Sequence, residues 1–133
     1  MDRTYLSFYI YANRIHIFIE ALRGIGSPKR ICFMIDQNGK RLLMLPQAKK
    51  DFVSHGVPQK VYSGADSMEI CSKKLCRILA GQHDWDTSRS YRVPGVIIAE
   101  RQLAAFDLTK AEVIVKGSTP SVFLGEYEAG NNP

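Results

Sequence analysis

Apolar positions dominate the first twenty residues. Tyr5 to Tyr11 is rich in aromatic and β-branched side chains, and Ile15, Ile17 and Ile19 alternate with Arg14, His16 and Phe18, so both stretches read as strands parted at Asn13. Glu20 to Arg23 favours helix but is stopped by Gly24, Gly26 and Pro28, leaving room for one short turn. Arg30 to Ile35 and Lys40 to Leu45 flank Asp36-Gln37-Asn38-Gly39, where Asn-Gly suits the positive φ angles of a β-hairpin, and Pro46 ends the second arm. Lys49 to Gly64 is a connector with one short strand expected at Gln59 to Tyr62.

The pattern resumes at Met68-Glu69-Ile70, a strand edge. Ser72 then caps a helix to Ala80, with Leu75, Ile78 and Leu79 on one face and Lys73, Lys74 and Arg77 on another. Gln82 to Ser90 is polar. Tyr91 to Val93 and Val96 to Ala99 read as two strands of a second hairpin around Pro94-Gly95. Phe106 to Leu108 leads into Thr109-x-x-Glu112, which suits either a capping box or the start of a final strand from Glu112 to Lys116. Beyond Gly117 a flexible C-terminal tail, residues 117–133, is expected, with only Val122-Phe123-Leu124 able to dock.

A self-similarity at an offset of 53 sets Ile15, Ile17, Leu22 and Ile25 against Met68, Ile70, Leu75 and Ile78. Each set opens a strand and then a helical turn, with a candidate hairpin after it. The expected fold is therefore α+β: one small, β-rich, barrel-like domain over residues 1–116, built from two β-α-β-β units with short helices. The pseudo-repeats would span 12–46 and 66–108.

Composition narrows the function classes. At 133 residues, 45% hydrophobic and 23% charged, the chain is that of an ordinary globular domain. Cys32, Cys71 and Cys76 are an odd number without a C-x-x-C spacing, which suggests neither a disulfide framework nor structural zinc and fits a reducing cytoplasm. Asn13, Arg14, His16 and Glu20 interrupt the apolar N-terminal run, so no membrane span, leader or anchor is expected. The net charge of +5 is uneven: residues 1–50 hold nine Lys/Arg against three acids, and residues 51–133 hold nine against ten. Such asymmetry suits a phosphate-binding face and equally a solvated one.

Arg14-Ile15-His16-Ile17, Ala21-Leu22-Arg23-Gly24-Ile25-Gly26 and Lys40-Arg41-Leu42-Leu43-Met44-Leu45-Pro46 together resemble the AbrB/MazE-like swapped-hairpin DNA-binding family over roughly residues 12–46. The chain departs from that pattern in having Phe18-Ile19 where a proline usually follows the first strand. The resemblance implies a barrel of two interleaved copies, normally from two chains, so a homodimer is also an expectation. It implies a bacterial transcription regulator whose Arg14, Arg23, Lys29 and Arg30, with Lys40 and Arg41, contact DNA. The competing reading is a small non-enzymatic inhibitor or accessory protein of a phage or mobile element that binds another protein, with Trp85, Tyr91 and Arg92 as anchors.

No catalytic residue, cofactor or metal is expected. His83-Asp84-Trp85-Asp86 lacks further ligands at a usable spacing. Gly24 to Arg30 follows a helical turn instead of preceding a helix, which suits a helix-ending loop better than a phosphate loop. Cys71 and Cys76 read as small core residues rather than a redox pair.

Overall fold

A computed structural model describes residues 2–47 and 54–115. Lys49 and Lys50, the end of the expected domain at 116, the tail 117–133 and the docking of Val122-Phe123-Leu124 all lie outside them. The strands are β1 (Asp2–Tyr9), β2 (Arg14–Phe18), β3 (Arg30–Ile35), β4 (Arg41–Pro46), β5 (Ser54–Gly56), β6 (Ser67–Cys71), β7 (Ser90–Ile98), β8 (Leu103–Asp107) and β9 (Glu112–Ile114). Helix α1 (Ile19–Gly24) follows β2, and α2 (Lys73–His83) follows β6. All of these strands belong to one antiparallel sheet of order β5-β3-β4-β8-β7-β1-β2-β6, with β9 beside the start of β7. The sheet curls into a nearly closed, barrel-like shell, so the molecule is a small β-rich α+β domain. Among the described residues, β5 and β6 are the margins of this order, each with one edge unpaired, and β9 likewise pairs on one edge alone.

Alternation decides what faces in. Leu6 and Phe8 of β1, Ile15 and Ile17 of β2, Leu42 and Met44 of β4, Val93 and Ile97 of β7, and Ala104 and Phe106 of β8 are buried. Each large apolar side chain sunk here contributes about 1.5–3 kcal/mol. Trp85 adds a ring pile: it stacks on Tyr91 at 4.8 Å and meets Phe8 at 5.5 Å. The helices close opposite ends. Helix α1 packs on β7 and β8, where Gly24 lies against Ile97, and α2 packs on the 3-10 turn Ile10–Ala12 at the other end.

Local chemistry explains the turns. Asn13 takes the left-handed conformation, φ 56°, between that turn and β2, and Gln102, φ 53°, does the same after the matching turn Ala99–Arg101 before β8. In the β3–β4 turn only Gly39 of the Asn-Gly pair has positive φ, +70°. There Asp36 accepts from the backbone N–H groups of Lys40 and Arg41 at 2.9 and 3.1 Å. Ser72 caps α2, its Oγ accepting from Leu75 N at 3.2 Å.

Several expectations are corrected. Pro94-Gly95 is no turn: β7 runs through it, and the hairpin lies between β7 and β8. Proline is tolerated because it stands where the second edge of β7 passes from β9 to β8. Glycine is required because an added Cβ would come within 2.4 Å of the Phe106 ring and 2.6 Å of the Ala105 carbonyl. Gln59–Ser63 is a 3-10 turn opened by Pro58, and the short strand lies upstream at Ser54–Gly56. Pro46 is the last residue of β4, so the second arm of the hairpin ends there as expected. Of the expected α2 face, Ile78 is exposed and Cys76 takes its place in the core, and Cys71 is exposed. Glu112–Ile114 is a strand, while the cap before it is Asp107 bonding Thr109.

Candidate nucleic-acid interface

The outer face of β1, β7, β8 and β4 gathers several cations, among them Arg3, Arg41 and Lys110. Alternation turns Arg3 and Tyr5 outward on β1, and the register sets them beside Val96 and Pro94 of β7. Val96 in turn pairs with Ala105 of β8, and Ala105 with Leu43 of β4. The small Ala105 side chain leaves a concavity of about 570 Å³ there, rimmed by Arg3, Tyr5, Arg41, Asp107 and Lys110. Next to it the Arg92 guanidinium lies over the Tyr5 ring, 5.6 Å from its centre.

The one carboxylate on this rim among the described residues is already occupied. Asp107 accepts from Thr109 Oγ1 at 2.6 Å and Thr109 N at 3.0 Å. The Thr109 side-chain bond, more than any other cause, holds this carboxyl below its ordinary range, and Lys110 and Arg41 add to the effect. Arg41 is shared with Asp36, its Nε donating to Oδ2 at 3.1 Å. Arg3 and Lys110 have no carboxylate partner among the described residues. An anion laid across this face therefore meets donors in need of acceptors.

The other cations singled out from sequence are dispersed. Arg14 is exposed and paired with Glu69 at 3.3 Å. Arg23 donates to the Tyr62 carbonyl at 3.1 Å, and the half-buried Arg30 donates to Ser54 Oγ at 3.0 Å. Lys29 is exposed, at the opposite end of the β3–β4 hairpin from Lys40 and Arg41. Three strands separate Arg14 from Arg41. Of the six only Arg41 lines the cleft; Lys40 stands next to it in the chain, its carbonyl accepting from Leu108 N at 2.8 Å. Trp85 and Tyr91 are buried, so of the three suggested protein anchors a partner meets chiefly Arg92.

Arg3, Tyr5 and Lys110 were not singled out from sequence, and Arg92 was singled out only as a protein anchor. The alternation of β1 marks Arg3 and Tyr5 as sharing a face, but the β1–β7 register joins residues almost ninety positions apart and leaves no local signal.

The remaining motifs resolve simply. Gly26 N and Ser27 N bond back to Arg23 O and Leu22 O, so the loop after α1 spends its donors capping that helix. Asp86 binds Ser88 N at 2.9 Å and Ser88 Oγ at 2.7 Å, forming a polar turn beside the packed Trp85. No cluster of three His, Cys, Asp or Glu side chains able to hold a metal occurs among the described residues. No helix among them is long and apolar enough to cross a membrane. Neither a protein-family model, nor a curated protein, nor a solved structure matches the chain.

Proposed function

We propose that this protein is a non-enzymatic DNA-binding regulator that grips the phosphate backbone with the outer face of β1, β7, β8 and β4. The carrying observation is the cleft in which Arg3 and Lys110, without carboxylate partners among the described residues, flank Arg41 and the Tyr5–Arg92 pair. Cations that lack an internal partner supply salt-dependent affinity, and a stacked arginine and tyrosine suit contact with a sugar or base. DNA contact thus moves from the N-terminal turn to a sheet face, keeping Arg41, with Lys40 next to it, from the original six.

The same proposal includes an interleaved duplication of the AbrB-like kind: β2-α1-β3-β4 as one unit and β6-α2-β7-β8 as the other. Four pairings support it. Strands β2 and β6 pair with each other, Ile15 opposite Ile70 and Ile17 opposite Met68, which is the exchange a local two-fold axis demands of a constant offset of 53. Strands β4 and β8 also pair across the units. The strand leading into each unit, β1 or β5, pairs with the second strand of the other, β7 or β3.

The test is binding to labelled duplex DNA across a salt series. Affinity should fall steeply with salt, and Arg3→Ala/Lys110→Ala should flatten the log–log slope by about 2. Arg14→Ala/Arg23→Ala should leave the slope unchanged. Absence of binding at low salt would overturn the DNA reading. A protein partner would then be favoured by the apolar flank of the same face, where Met34 is 56% exposed.

A further inference from the structure

The seam between the unpaired margins holds a second concavity that shares no residue with the outer-face cleft. It encloses about 280 Å³ between the inner side of β3 and β5 and helix α2, and is lined by Phe33, Ile35, His55, Ser72, Lys74, Leu75 and Ile78. Register explains the mixture. His55 pairs with Ile31 on β5 and so turns inward like Phe33, whose ring it meets at 6.2 Å. Ser72 and Lys74 come from the first turn of α2, and Leu75 and Ile78 from its flank.

The polar groups of this lining are of one kind. Lys74 is an ammonium with no ion-pair partner among the described residues. Ser72 Oγ already accepts from Leu75 N, which leaves its hydroxyl proton to donate. His55 has no hydrogen-bond partner among them and brings an imidazole N–H. No carboxylate among the described residues lines the cavity. Three donors thus edge a surface otherwise made of Phe33, Ile35, Leu75 and Ile78, where Ile78 remains 37% exposed.

We propose that the seam cavity binds a small amphipathic carboxylate, its head group on Lys74, Ser72 and His55 and its hydrocarbon along Phe33, Ile35, Leu75 and Ile78. The volume lies at the small end of ligand sites and suits a molecule of about ten non-hydrogen atoms. A neutral alcohol of the same length fills the apolar part but forfeits the charge-assisted bonds. An extended peptide would lay main-chain amides where the lining offers few acceptors.

The probe is octanoate, followed by amide and side-chain NMR shifts in the full chain, with octan-1-ol and a short apolar peptide of neutral ends as comparisons. Octanoate should shift Phe33, His55 and the Ser72–Ile78 segment saturably at millimolar concentration. Lys74→Gln should weaken it by about tenfold, the worth of one charge-assisted hydrogen bond, and leave octan-1-ol unchanged. Ile78→Asp should remove binding while the melting temperature holds, because that side chain is partly exposed. Shifts absent with octanoate, octan-1-ol binding as tightly, or the peptide shifting the same residues more tightly would each overturn the proposal.

Discussion

At Gly95 two strands pass so closely that a methyl group has nowhere to go. Gly95→Ala should cost about 1–3 kcal/mol by overpacking against Phe106, read as a lower denaturant midpoint at constant slope. Thiol chemistry gives a second check at this scale. Burial, with a smaller push from Cys71, raises the Cys76 thiol to about 11, whereas Cys71 is exposed. An aromatic disulfide reagent at pH 8 should label Cys71 promptly and Cys76 only on unfolding. Asp36, Asp86 and Asp107 are all held below the ordinary carboxylate range, chiefly by bonds from the backbone of Arg41, the hydroxyl of Ser88 and the hydroxyl of Thr109. A carboxyl whose folded value lies below its unfolded one stabilises the fold above the unfolded value and loses that contribution as pH falls through the folded one. The melting temperature should therefore drop from about pH 4 downward, and less steeply in Asp107→Asn.

Elements were legible where one segment carried its own signal. The alternation of Ile15 and Ile17, the Ser72 cap and the Asp36–Gly39 turn need no distant partner, and β2, α2 and the β3–β4 hairpin stand where those residues put them. Ser72→Ala should cost about 1 kcal/mol, measured by chemical denaturation, since Leu75 N then loses its acceptor. Elements failed to be legible where the deciding partner was remote. Pro94-Gly95 reads as a turn by itself and becomes strand only because β1 holds one edge while β9 and β8 share the other. The proposed binding face was hidden for the same reason. Arg3, Arg41, Arg92 and Lys110 come from four separate segments, and neither charge runs nor spacing announces that the sheet will gather them.

Over the whole molecule, protection should follow the sheet order. Strand β7 is bonded on both edges, whereas β5 and β6 each leave one unpaired. Amides at the middle of β7 should exchange with solvent only through global unfolding, and those of β5 much sooner, as hydrogen-exchange mass spectrometry would show. Strand β1 has another kind of dependence. Its neighbours are β2, only a few residues on, and β7, whose register runs Asp2 opposite Ile97 to Tyr9 opposite Ser90. On a ribosome adding about 5–20 residues per second, β1 therefore waits several seconds for its second neighbour. Through that interval Leu6 and Phe8 have half a sheet to rest on, and a nascent chain stalled before Ser90 should be open to proteases that the finished barrel excludes.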